Sequence, residues 1–359
     1  MKFNFKFISF EKLYIYFCFL VLLNIFFSTD NIQAKTFSID DIEISTPFEM
    51  NFDKNEIIDD GFIKAFEQLI KLVIQTKDQK RLGKISLSRI KGMIETFSIK
   101  EEKFVDEIYY LKLNVSFNKK KIFKLLESRN IFPSIPIKKN IFLIPIILDE
   151  KKDEILMFSE SHLFNSWNSN IKKYHLLNYI LPTEDLEDFN LIKLNSKNLE
   201  NYDFKEIIEK YNLKNYIITI VFKNDDEIRV LNKMNFNEKI DLKNLRFQNL
   251  RLGNNKELEE FTENLKTMYE NHWKSKNEIN TSVKLSLTIS IDNNDAFKIS
   301  LFEEILSNID LIYDFYIFKF DNKKNIYKII FNGSPNYFLK IMKNENYEFD
   351  TQNKIWNLK

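Results

Sequence analysis

The chain has 359 residues, 53 basic and 52 acidic side chains, and a hydrophobic share of 44%. That balance excludes a global field able to attract nucleic acid or anionic lipid, and the apolar share excludes disorder as the default. The single cysteine, Cys18, excludes an internal disulfide.

The first element in chain order is a leader. Lys2, Lys6 and Lys12 make a basic start, an apolar run follows from Leu13 to Phe27, and Ser28 to Gln33 lead to the small residue Ala34. A basic region, a short apolar core and a small-residue cleavage site are the parts of a secretory signal. The run falls short of the about 20 apolar residues that span a bilayer. Residues 1–34 are therefore expected to be removed near Ala34, which places the mature chain in the periplasm. An uncleaved leader, tethering the protein to the inner membrane, is the alternative. Cys18 sits inside the apolar run behind bulky Phe17, a setting unlike a lipoprotein signal. Without the leader the acidic and basic residues are equal in number, and no cysteine remains as thiolate nucleophile or metal ligand. Ala34, Ala65 and Ala296 are the only alanines, while Ile, Phe, Lys and Asn abound. This bias, typical of an AT-rich genome, lowers the meaning of any single Asn, Lys or Phe.

Residues 35–135 read as an N-terminal α+β unit. Phe62, Ala65, Phe66, Leu69, Leu72 and Val73 recur at helical spacing, which predicts a helix over 57–75. Ser86 to Phe97 predicts a second helix, weakened by Gly92. Leu111, Leu113, Val115 and Phe117 alternate with polar residues, as in a half-buried strand, and helical spacing returns over 119–129. Pro133 and Pro136 mark a boundary.

Residues 137–275 read as a central α/β unit. The apolar runs 141–148, 176–181 and 216–222 predict strands buried on both faces. Helices near 163–173 and over 204–211 lie between them, so a small parallel sheet with right-handed crossovers is expected. Segments 228–230 and 242–252 add antiparallel strands, and 255–273 closes the unit as a charged helix. Residues 281–359 follow the order β-α-β-β-α-β of a ferredoxin-like module, with Ser334 as N-cap and Pro335 at the first helical position. The fold class is thus α+β.

The chemistry-bearing patterns are sparse. Five glycines, Gly61, Gly83, Gly92, Gly253 and Gly333, stand too far apart for a phosphate-cradling loop, and no Gly-x-Ser-x-Gly elbow is present. His162, His175 and His272 do not pair at metal-binding spacing. No catalytic residue, metal or cofactor is expected. The distinctive stretch is Leu181-Pro182-Thr183-Glu184-Asp185-Leu186-Glu187-Asp188, just past a buried strand, where ligands bind in open α/β sheets. Asp185, Glu187 and Asp188, with Trp167, are the candidate ligand-binding residues. The competing reading makes Thr183 or Asp185 a helix cap, with the acids favouring the positive end of that helix. Trp167, Trp273 and Trp356 suit packing anchors. The aromatic strand 313–320 suits either core or an exposed partner surface.

On these residues the chain resembles an uncharacterised domain-of-unknown-function family of exported Gram-negative envelope proteins. The carriers are Leu143-Ile144-Pro145-Ile146, Leu156-Met157-Phe158, Asn165-Ser166-Trp167 and the stretch 181–188, read as aliphatic-Pro-x-x-Asp-Leu-x-Asp. Phe158 and Leu163 stand where tryptophans are common in that family, which argues against a shared tryptophan cage. The middle unit is similar in shape to the TolB N-terminal domain and to the curli secretion lipoprotein. The resemblance implies an envelope protein, with no activity to carry over.

The expected function is an exported, non-catalytic binding or envelope-assembly protein. Its partner is expected to be an envelope protein or cell-wall component. Membrane contact is peripheral or absent after cleavage, and nucleic acid is not a partner. The alternative is a carboxylate-based or metal-dependent hydrolase at the strand end before Pro182, using Asp185, Glu187 and Asp188, with His162 or His175.

Overall fold

The computed structural model describes residues 36–50, 52–169, 172–224 and 227–359. The expected leader, 1–34, lies outside the described residues. Helices and strands are mixed across three sheets, an α+β fold. Among the described residues no helix is long and apolar enough to cross a membrane.

The first sheet is antiparallel and built from β1 (Thr36–Pro47), β2 (Ile94–Val105) and β3 (Ile108–Asn118), with β3 central. The odd-numbered residues of β3 from Tyr109 to Phe117 are buried beneath helix α1 (Lys54–Val73), whose stripe of Phe62, Ala65, Phe66, Leu69 and Val73 is likewise buried. The helix comes close because it carries Gly61 at the contact: a Cβ there would stand 2.5 Å from Leu113 Cδ1 and 2.8 Å from Ile44 Cδ1. Helices α2 (Thr76–Leu82) and α3 (Leu87–Lys91) follow. The helix expected over 86–97 stops at Lys91, and β2 begins at Ile94. Phe97 pairs with Val115 and Ile99 with Leu113 across the ladder. The pairing overrides a weak local helix preference, which Gly92 interrupts. Helix α4 (Lys119–Glu127) closes this part, with Asn118 accepting the Lys121 N–H as its cap.

The central sheet has strands β4 (Lys139–Asp149), β5 (Glu154–Leu156), β6 (Leu177–Ile180), β7 (Tyr216–Lys223), β8 (Glu227–Phe236) and β9 (Lys239–Gln248). β4 runs parallel to β6 on one side and to β7 on the other, and β8 and β9 extend the sheet antiparallel. Pro145 lies between the stretch of β4 that pairs with β6 and the stretch that pairs with β5, the gap where a residue without an N–H costs a central strand least. Ile141, Leu143 and Ile147 face helix α8 (Asn255–Lys276) with Tyr269 and Trp273. Phe142, Ile144 and Ile146 face helices α6 (Leu186–Leu194) and α7 (Lys205–Lys210) with Ile192 and Ile207. Both faces are covered, which explains the unbroken apolar run. Helix α5 (His162–Ser166) is shorter than the helix expected near 163–173. On the α8 face, Tyr269 bonds to Thr219 and Asn232, all three fully buried, so the hydroxyl is satisfied inside the core.

The third sheet contains β10 (Leu285–Asp292), β11 (Ile312–Phe320), β12 (Lys324–Phe331), β13 (Phe349–Asp350) and β14 (Trp356–Leu358), in the order β11-β12-β10-β14-β13. Helices α9 (Ala296–Asn308) and α10 (Pro335–Asn344) lie between the strands in sequence. Ser334 accepts the Tyr337 N–H, with Pro335 opening α10. The order β-α-β-β-α-β is present over β10 to β13. The chain then adds β14, which inserts between β10 and β13 and runs parallel to β10.

The first and third parts, distant in sequence, share one apolar core: Phe37, Phe123 and Ile131 belong to the same cluster as Leu287, Phe302 and Leu311. Charged contacts border it. Lys119 bonds to Asp310, Lys120 approaches Asp314 at 3.2 Å, and Lys284 approaches Glu127 at 3.2 Å. Lys120 and Lys284 also stand over the Tyr313 ring, 5.0 Å and 4.3 Å from its centre.

Candidate functional site

The carboxylates of the 181–188 stretch are built into the local structure. Asp185 caps α6, accepting the Glu187 N–H at 2.8 Å. Lys210, on α7, reaches all three acids: Asp188 at 2.6 Å, Asp185 at 3.2 Å and Glu187 at 3.4 Å. The backbone N–H of Glu187 and then Lys210 hold the Asp185 carboxyl below its ordinary range, and Asp188 above all raises the pKa of Lys210. Thr183 donates its N–H to the Tyr211 hydroxyl at 2.7 Å, and Ser159 lies 3.2 Å from Glu184. Asp188 is 1% exposed, and its second oxygen, Oδ2, has no partner among the described residues. The stretch thus combines a helix cap with a lysine counter-charge.

Trp167 does not join these acids. It is fully buried on the α8 face of the central sheet, packed against Tyr179 and Tyr269 with ring centres 5.5 Å and 6.2 Å away. α6 covers the opposite face. The histidines are apart as well. His175 lies 3.7 Å from Glu263, and His272 lies 3.1 Å from Asp241, which also binds Lys276 at 2.7 Å. Burial pushes both imidazoles below their ordinary pKa, against the pull of the carboxylates. His162 opens α5. Among the described residues no three His, Cys, Asp or Glu side chains gather in a group able to hold a metal ion.

What the fold does expose is the aromatic strand. Among the described residues β11 pairs with β12 alone, so its other edge is open there. Tyr316 is 49% exposed, Phe318 66% and Phe320 76%. Ladder irregularities fall between Ile312 and Asp314 and between Ile317 and Lys319; they leave Tyr313 and Phe318 out of regular pairing. Helix α9 adds exposed Phe297 and Leu301. An open edge offers unpaired backbone donors and acceptors together with apolar side chains, the chemistry that binds an extended peptide segment. Over 316–320 the strand is exposed rather than covered as core. Alternation could not decide between the two, because an edge strand and a covered strand share the same residue types.

Neither the known protein-family models nor the curated proteins include a match to this chain.

Proposed function

We propose that the protein is an exported, non-catalytic binding or assembly protein of the bacterial envelope, and that it holds a protein partner by strand addition along the open edge of β11. The exposed aromatic edge carries this reading. Covering Phe318 and Phe320 alone would return about 3–6 kcal/mol, against the ordering cost of association. Backbone bonding along an edge supplies affinity, and the side chains that alternate along it supply selectivity. The leader supports export to the periplasm, with cleavage near Ala34.

A photo-crosslinking residue placed at Phe318 in living cells tests the reading. A discrete adduct in the envelope fraction is expected, and it should vanish when Phe320→Lys is added. Labelling no different from that of a control at Lys328, on the inner strand β12, counts against it. N-terminal sequencing of the same material should begin at Lys35; an intact leader would instead tether the protein to the inner membrane.

A further inference from the structure

The amino ends of the parallel strands β4, β6 and β7 border an open cleft of about 770 Å³. Lys138 and Lys139 reach it from the start of β4, Lys172, Lys173 and His175 from the segment before β6, and Lys214 from the segment before β7. Among the described residues no carboxylate lines it. In a chain with 53 basic and 52 acidic side chains, that is a local separation of charge. Two of the five lysines are engaged: Lys172 with Glu263 at 3.0 Å, and Lys173 with the Asp41 carbonyl at 2.5 Å. Lys138, Lys139 and Lys214 have no acidic partner among the described residues.

Neutral polar groups complete the lining. Asn178 donates to Asn140 at 3.0 Å across the β6–β4 pair, and Asn215 is held by accepting the Asn237 N–H at 2.9 Å. The volume lies in the range of small-molecule sites, about 300–1,000 Å³. The cationic lining is lysine without arginine. Arginine's planar fork fits carboxylate and phosphate alike, whereas lysines act as point charges, and several converging on one cleft suit an anion that carries several negative charges, as phosphates do.

From this we infer that the cleft is a binding site for a phosphate-bearing anion with several negative charges. The site is separate from the β11 edge and does not depend on the function proposed for it. Exposed lysine contacts are individually weak and screened by salt, so binding rests on the convergence of several.

Calorimetry with inorganic tripolyphosphate, and co-sedimentation with phosphatidylglycerol vesicles against phosphatidylcholine vesicles, test the site on the full mature chain. The triple variant Lys138→Glu, Lys139→Glu, Lys214→Glu alters only side chains without acidic partners, and its fold is checked by circular dichroism. Tripolyphosphate binding that weakens with salt, and falls about tenfold or more in the variant, is expected. Retention on phosphatidylglycerol as well would assign a lipid headgroup; retention on neither vesicle would assign a soluble phosphate. No binding in either arm, or undiminished binding by the folded variant, overturns the inference.

Discussion

Lys210 places its ammonium 2.6 Å from the carboxylate of Asp188, a side chain that α6 withdraws almost wholly from water. One cation thereby ties α7 to the acidic first turn of α6. Removing it would leave a buried carboxylate without its counter-charge, a costly state in a low-dielectric setting. Lys210→Met should lower the thermal midpoint. Lys205→Met should not, because its partner, Glu209, is an exposed neighbour 3.7 Å away on the same helix. Asp188→Asn in the Lys210→Met background should recover part of the loss. Equal melting of Lys210→Met and wild type would show that the bridge does not hold this corner together.

Gly61 gives a prediction that runs against helix propensity. An alanine in a helix interior is ordinarily better than glycine by about 0.5–1 kcal/mol. Here the added methyl would stand 2.5 Å from Leu113 Cδ1 and 2.8 Å from Ile44 Cδ1. Gly61→Ala should therefore destabilise by about 1–3 kcal/mol, measured by urea unfolding. Leu113→Ala in the same chain should relieve part of that strain, so the double variant should be more stable than the sum of the two single losses. A stabilised Gly61→Ala would mean that the Leu113 and Ile44 methyls swing aside at little cost and that the close approach does not require glycine.

Lys119 links stability to pH. Its ammonium is buried at the joint between the first and third parts, over the rings of Phe37 and Phe123, and bonds to Asp310. Burial pushes its pKa down from 10.5 to about 7. The unfolded chain then binds this proton more tightly than the folded one, so the folded state gains stability as pH rises from about 7 towards 10.5 and loses it as pH falls back. Urea unfolding across that window should show the slope in wild type and its loss in Lys119→Met. A wild-type profile as flat as that of Lys119→Met would contradict the described burial.

Much of the architecture is legible in particular residues. The stripe from Phe62 to Val73 marks α1, the alternation from Leu111 to Phe117 marks β3, and Ser334-Pro335 marks the start of α10. Asp185 was readable as a cap from its place before Leu186. β2 was not readable, because Ile94 to Val105 is almost entirely solvent-facing and its pairing with β3 leaves little apolar alternation to detect. The lysine cleft was equally hidden: it takes residues from three separate segments, none of which is unusual for so lysine-rich a chain.

The sequence by itself determined the α+β class, the apolar runs of the doubly covered sheet and where most helices start, because these follow from short-range periodicity and capping. Only the tertiary structure decided which surfaces remain open. It set Trp167 and the acids of α6 on opposite faces of one sheet. It answered those acids with Lys210, joined the first and third parts in one core, and left the outer edge of β11 unpaired among the described residues. The physical reason is that burial and charge pairing depend on which distant segments come together, and local pattern carries no record of that choice.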